Sequence, residues 1–210
     1  MNEYIHFAES KIRFSDHGEK EEAICAKAAH TIRTYAQSSM AKWYFESEQP
    51  WDLFAHSARV TYLMTLLCQF LPKQIPEQAF EKLVIASIIH ELVGDPSKSS
   101  SACVSAETLD YIESNNLPSI SGITGIIEQQ DERCDGSGFP KGLTGDKISL
   151  LPKVFAIPNA YDHLLLETPG GSLRFRNQKV KKILRANSKH FDRVLFELFF
   201  PILERLRIST

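Results

Sequence analysis

Two histidines with neighbouring carboxylates have the residue types and the spacing for metal or acid–base chemistry in this 210-residue chain. His56 stands in the segment DLFAHSARV and shares a helix face with Val60. Asp52 precedes it by four residues, so it can project from the same face. His90 ends the apolar run KLVIASIIHEL, and Glu91 follows it directly. An inward histidine beside a carboxylate can hold a metal ion or exchange protons. Each histidine can equally be a hydrogen-bonded core residue, and the two alternatives stay open from the residues alone.

The segment DERCDGSGFPKGLTGDKI, residues 131–148, is the second unusual feature of the sequence. It holds four glycines and one proline, and both residue types disfavour a helix interior. Apolar, helix-periodic sequence lies on either side of it. The pattern predicts a rigid loop between two helices.

Helical periodicity dominates the rest of the chain. It predicts helices over residues 21–45, 52–71, 77–93, 105–114, 119–133, 148–166, 177–186 and 188–207. No segment shows the sustained alternation of a half-buried strand. We therefore expect an all-α fold.

Composition narrows the class of protein further. A net charge of -2 lacks the basic bias of a nucleic-acid-binding surface. The start, MNEYIHFAES, does not have the pattern of a secretory signal, and no apolar run reaches membrane-spanning length. The four cysteines (Cys25, Cys68, Cys103 and Cys134) follow no disulfide or metal-ligand spacing, which is typical of reduced thiols. We expect a cytoplasmic protein without nucleic-acid or membrane partners.

Five segments in order resemble the HD-GYP family: HSARV, IIHE, ERCDGSGFPKGLTGDKI, AYDHL and HFD. These proteins are bacterial cyclic di-GMP phosphodiesterases within the HD metal-hydrolase superfamily. The likeness runs from about residue 30 to about residue 200. Its most specific matches lie in the glycine loop: Glu132, Arg133, Asp135, Gly136, Gly138, Pro140, Gly142, Leu143, Gly145 and Ile148. The resemblance implies an HD-domain helical bundle with a glycine-rich GYP-type loop over residues 26–210, preceded by an extension over residues 1–25.

The resemblance also implies where metal ligands would stand, since family members hold two or three iron or manganese ions. Five positions keep a metal-capable donor: Asp52, His56, His90, Glu91 and Asp131. Among these, Glu91 stands where the family has an aspartate, and Asp131 takes the second place of a histidine pair. Three positions lose a donor: Ser101 and Gln130, where the family has histidines, and Asn159, where it has an aspartate. We therefore expect a degenerate member without a cofactor and with little or no hydrolase activity. The alternative is one iron or manganese ion held by the remaining donors.

Candidates for phosphate contact follow from the same resemblance, while no catalytic residue can be assigned. Lys153 stands where the family has an arginine, so it keeps the charge without the planar guanidinium. Arg174 and Arg176 lie near the segment in which the family contacts the dinucleotide phosphates.

The tip of the glycine loop, formed by Gly138, Phe139 and Pro140, is a candidate partner-binding surface. The corresponding surface of the family is implicated in contacting diguanylate cyclase (GGDEF) domains. An exposed aromatic side chain supplies contact area at low entropic cost. The alternative is that Phe139 fills the neighbouring core and the glycines serve only the turn.

Three functions remain, in order of preference. The first is a degenerate regulatory or protein-interaction module of cyclic di-GMP signalling. The second is an active, metal-dependent cyclic di-GMP phosphodiesterase with a reduced metal site. The third is a receptor that binds the cyclic dinucleotide without hydrolysing it.

Overall fold

The computed structural model describes residues 12–14, 30, 51–71, 73–91, 101–114 and 122–208. Within them lie seven α-helices: α1 (Trp51–Cys68), α2 (Glu77–Ile89), α3 (Ser101–Ser114), α4 (Thr124–Gln129), α5 (Leu150–Glu167), α6 (Leu173–Ala186) and α7 (Arg193–Arg205). A 3-10 turn (Ser188–His190) precedes α7, and two short strands, β1 (Ile12–Phe14) and β2 (Leu206–Ile208), complete the described elements. Apart from this strand pair, the all-α prediction is confirmed for the described residues.

Helix α1 is the central element of the core. From His56 to Cys68 every residue except Arg59 is buried. A helix that is enclosed on nearly all sides must be covered by several neighbours. Helices α2, α5 and α7 pack against it. The buried polar side chains between His56 and Cys68 therefore face other helices instead of water.

Helix α5 lies against α1 and carries a proline in its interior. Pro158 has no N–H, so it cannot donate to the carbonyl of Val154 one turn earlier. The next residue, Asn159, is buried, and so is Asp162. Positions 159, 162 and 163 are three and four residues apart, which places them on one helix face.

The C-terminal part differs from the single predicted helix over residues 188–207. Helix α7 begins only at Arg193, because the Asp192 carboxylate accepts hydrogen bonds from the backbone N–H groups of Val194 (3.0 Å) and Leu195 (3.2 Å). Strand β2 then pairs antiparallel with β1, with Ile12 opposite Ile208. Part of the predicted extension over residues 1–25 is thus joined to the end of α7.

The helix predicted over residues 119–133 is shorter in the structure, and α4 ends at Gln129. The chain leaves the helix there because the carbonyl of Asp131 accepts a hydrogen bond from Phe139 N (3.0 Å) instead of continuing a helical series. The predicted helix over residues 21–45 lies outside the described residues, apart from His30. Among the described helices, none has both the length and the hydropathy needed to span a bilayer.

Candidate metal centre

Three side chains from three elements meet at one point in the core. His56 comes from α1, His90 from the turn that ends α2, and Asn159 from α5. His56 Nε2 lies 3.0 Å from His90 Nε2 and 3.1 Å from Asn159 Oδ1. The third distance, His90 Nε2 to Asn159 Oδ1, is 3.2 Å. These three atoms form a nearly equilateral triangle.

The other nitrogen of each imidazole has an acceptor partner, which identifies the tautomer. His56 Nδ1 lies 2.8 Å from Asp162 Oδ2, and His90 Nδ1 lies 3.0 Å from the carbonyl oxygen of Ser87. A carboxylate and a carbonyl only accept, so each Nδ1 carries the hydrogen. Burial lowers the pKa of His90 to about 3, so this ring is neutral at physiological pH. Its Nε2 therefore presents a lone pair towards the triangle.

Three acceptor atoms about 3 Å apart need a positive partner between them, and there are two ways to supply one. A divalent cation with bonds of about 2.1 Å places neighbouring ligand atoms about 3 Å apart, and imidazole nitrogens and amide oxygens can both bind such an ion. Alternatively, a rotated Asn159 amide would donate its NH₂ hydrogens to both imidazoles. The donor set and its spacing therefore fit one metal ion, and the orientation of Asn159 distinguishes the two states.

Glu91 and His163 lie beside this triangle. Their side chains form an ion pair with Glu91 Oε1 at 2.8 Å from His163 Nε2, while Glu91 Oε2 lies 3.8 Å from His56 Nε2. Burial alone would raise the pKa of Glu91, but the His163 hydrogen bond and the neighbouring histidines hold it below its usual range. Burial likewise opposes the charge of His163, but Glu91 raises its pKa. One ligand atom from each of His56, His90, Glu91 and His163 lies within 4.8 Å of the others, so this histidine cluster could hold a cation.

Gln130 and Asp131 occupy the positions at which the resemblance expects a histidine pair. The Gln130 amide donates to Ser105 Oγ (2.8 Å), and Ser105 Oγ donates to Asp131 Oδ2 (2.9 Å). All three side chains are buried. Burial raises the pKa of Asp131, partly offset by Arg133. This Gln130–Ser105–Asp131 chain contributes one carboxylate, already engaged, and no imidazole.

The structure brings together only some of the metal ligands predicted from sequence. His56, His90 and Glu91 lie in the histidine cluster, and Asp131 lies in the adjoining hydrogen-bonded chain. Asp52 and Ser101 fall within α1 and α3, but their side chains lie outside what the structure describes.

Sequence reasoning missed His163 and Asp162. Both stand in the segment AYDHL, and His163 follows Asn159 by four residues. That helical spacing was the available signal, because it places both side chains on one face of α5.

The candidate phosphate contacts lie in other surroundings. Lys153 Nζ is 3.7 Å from Asp192 Oδ2, so this cation already faces a carboxylate. Arg174 is exposed on α6, and Arg176 is half-buried there with its Nε enclosed and unbonded.

The glycine loop is built on the buried carboxylate of Glu132. Its two oxygens accept from the backbone N–H groups of Lys141 and Leu143, each at 2.7 Å. Gly138 passes against the backbone of residues 131–133, where an added Cβ would lie 2.2 Å from the nitrogen of Arg133. The side chain of Phe139 is 54% exposed, so it does not fill the core.

Comparison with known proteins finds similarity to one domain family and to two curated proteins. Residues 110–195 match the HD domain family model. A probable cyclic di-GMP phosphodiesterase of Vibrio cholerae is 32% identical over 68 residues, which is 32% of this chain and 15% of that protein. A cyclic di-GMP phosphodiesterase of Pseudomonas aeruginosa is 22% identical over 160 residues, which is 70% of this chain and 38% of that protein.

Residues 110–195 are thus similar to an HD domain, and the helical fold of the described residues agrees with that match. The similarity of the chain to cyclic di-GMP phosphodiesterases agrees with the resemblance to the HD-GYP family found in the sequence. The match to the family model includes Asn159, Asp162 and His163, while His56 and His90 precede it. The aligned segments span less than half the length of both relatives.

Proposed function

We propose that this chain is a degenerate HD-GYP-type domain of cyclic di-GMP signalling that holds one divalent first-row cation and has little or no phosphodiesterase activity. The observation that carries the proposal is the triangle of His56 Nε2, His90 Nε2 and Asn159 Oδ1, with sides of 3.0–3.2 Å. Glu91 adds a carboxylate next to it. Iron and manganese suit this mixture of nitrogen and oxygen donors.

A single cation is favoured over a pair because of the chain formed by Gln130, Ser105 and Asp131. In it an amide and a carboxylate take the place of two imidazoles. The amide is a weak ligand for iron or manganese, and the carboxylate already accepts a hydrogen bond from Ser105. Paired metal ions can stabilise both the attacking and the leaving oxygen of a phosphodiester. A single cation would leave one of these two oxygens without a metal ion. We therefore expect the chain to bind a cyclic dinucleotide but to hydrolyse it little or not at all.

A regulatory role is supported by the tip of the glycine loop. Phe139 is exposed, although the loop beneath it is tightly hydrogen-bonded to Glu132. A fixed, exposed aromatic is suited to a protein partner because little entropy is lost when it is covered. A diguanylate cyclase-type (GGDEF) domain is the partner we propose.

The second candidate function is an active cyclic di-GMP phosphodiesterase, favoured by the retained His56–His90 pair. The test is to incubate Mn²⁺-loaded protein with cyclic di-GMP and to measure both binding and product over time, with His90→Ala as the metal-site control. We expect binding with less than one turnover in the time that an active enzyme completes many. Sustained turnover that His90→Ala abolishes would overturn this proposal in favour of the phosphodiesterase. If the protein neither binds nor hydrolyses cyclic di-GMP, the assignment of this ligand is wrong.

A further inference from the structure

We propose that Arg59 is a positioning residue for the metal centre: acting through Asp162, it fixes which nitrogen of His56 is free to bind a cation. This inference rests on the proposed metal site. It concerns two residues that contribute no atom to the triangle: Asp162 binds the Nδ1 side of His56, and Arg59 holds Asp162.

The first link is a two-point contact between α1 and α5. Arg59 Nε donates to Asp162 Oδ1 at 2.6 Å, and Arg59 Nη2 donates to Asp162 Oδ2 at 2.8 Å. Two parallel charge-assisted bonds fix the plane of a carboxylate as well as its place. Asp162 is fully buried, and a single bond would leave its plane free to turn. Arg59 therefore determines where the Asp162 oxygens point.

The second link joins that carboxylate to the metal centre. Asp162 Oδ2 also accepts from His56 Nδ1 at 2.8 Å. His56 and Arg59 are three residues apart on α1, so both reach α5 from one helix face. With its hydrogen on Nδ1, His56 directs the lone pair of Nε2 at His90 Nε2 and Asn159 Oδ1.

Removing the Arg59 guanidinium should also affect His56, because the buried Asp162 carboxylate would lose its charged partner, which is energetically costly. Asp162 would turn or admit water, and His56 would no longer have one fixed acceptor. The ring could then place its hydrogen on Nε2, where it would block the cation. A group that only packed between helices would change stability without changing this tautomer.

The first test uses the metal-free protein and Asp162→Asn. In this variant Arg59 would still donate to the side-chain oxygen of residue 162. The NH₂ group of the new amide would then face His56. Long-range ¹H–¹⁵N NMR should show His56 with hydrogen on Nδ1 in the native protein and on Nε2 in Asp162→Asn. Mn²⁺ affinity should fall by about 10–100-fold, the usual effect of removing such a supporting group.

The second test changes Arg59 itself and covers the case in which Asp162→Asn does not fold. Arg59→Met should weaken Mn²⁺ binding by about 10-fold or more, and Arg59→Lys should restore part of it by keeping the charge. Arg185→Met is the control, since Arg185 is exposed on α6 and pairs with Glu204 of α7. It should leave Mn²⁺ affinity unchanged.

The outcomes separate this inference from the proposed function. If the native protein binds no Mn²⁺ but His56 carries its hydrogen on Nδ1 and loses it in Asp162→Asn, the metal proposal fails and the positioning role stands. If the native protein binds Mn²⁺ and folded Arg59→Met binds it equally well with the same tautomer, the positioning role is wrong and the metal proposal stands.

Discussion

At the scale of single residues, the centre combines retained imidazoles with altered oxygen donors. Glu91 stands where the resemblance expects an aspartate, and its longer side chain reaches His163 at 2.8 Å. Asn159 stands where it expects another aspartate, and its amide oxygen keeps a donor atom without the charge. The site thus lacks a negative charge that would help to offset a divalent cation.

Restoring that charge should strengthen metal binding. In Asn159→Asp the carboxylate would face the two Nε2 atoms at the distances now spanned by the amide oxygen, 3.1 and 3.2 Å. We expect Mn²⁺ affinity to rise by about 10-fold, because an anionic oxygen is a better ligand for this cation than a neutral amide. Competition between Mn²⁺ and a fluorescent chelator measures the change.

Asn177→Asp is the matched control, because Asn177 is another buried asparagine and binds the hydroxyl of Tyr161 at 2.8 Å. It should alter stability but not metal affinity. An unchanged or weakened Mn²⁺ affinity in folded Asn159→Asp would mean that Asn159 faces the imidazoles with its NH₂ group and that no cation belongs there.

Part of this centre could be predicted from the sequence, and the reason lies in periodicity. His56 and His90 stand out because each interrupts an apolar helix face. His163 does not, since its neighbours in AYDHL are mixed. The pairing of Asp162 with Arg59 joins residues 103 positions apart, and it depends on how α1 packs against α5. No local pattern encodes that contact.

At the scale of elements, the glycine loop is shaped by close approach as much as by backbone conformation. Gly136 and Gly142 have positive φ values of 81° and 61°, as the sequence reasoning allowed. Gly138 has a different cause, because there is no space for a Cβ beside the backbone of residues 131–133. The sequence predicted a rigid loop there, but not which glycine is sterically required.

Replacing Gly138 should therefore damage the loop. Gly138→Ala places its Cβ within 2.2–2.5 Å of three backbone atoms, and the chain must move to admit it. We expect the free energy of unfolding to fall by about 1–3 kcal/mol or more. Urea denaturation followed by circular dichroism measures this loss.

Gly125→Ala is the control, because an added Cβ there meets nothing within 4 Å and Gly125 lies in α4. Its stability should be unchanged or higher by up to about 1 kcal/mol, since alanine favours a helix. Equal stability of the two variants would contradict the close packing described for Gly138.

Helix ends were harder to predict than helices. The apolar periodicity of residues 119–133 continues past Gln129, but α4 stops there because the loop backbone bonds to Asp131. Residues 188–207 divide at Asp192, whose carboxylate begins a new helix at Arg193. In both places a local hydrogen bond overrides a periodic pattern.

At the scale of the whole molecule, the proposed metal centre is also a junction of the fold. Its donors come from α1, from the end of α2 and from α5, three elements that share the core. A cation bound there links helices that are distant in the sequence. Binding and folding should therefore be coupled.

This coupling should appear as thermal stabilisation by metal. At a free Mn²⁺ concentration 100 times its dissociation constant, about 2.7 kcal/mol is added to the free energy of unfolding. For a chain of this size that corresponds to an increase in Tm of about 5–10 °C. Scanning calorimetry with and without Mn²⁺ measures it, and His90→Ala should abolish the increase. A Tm that does not respond in the native protein would contradict binding at this junction.

The most direct test of the central claim is the metal content of the native protein. The protein is purified anaerobically, without chelators or a metal-binding tag, and its iron and manganese are counted by mass spectrometry. The account predicts about one first-row metal ion per chain, retained in Arg185→Met and lost in His90→Ala. A folded protein with no metal, or one with two or more ions per chain, would contradict a centre built for a single cation.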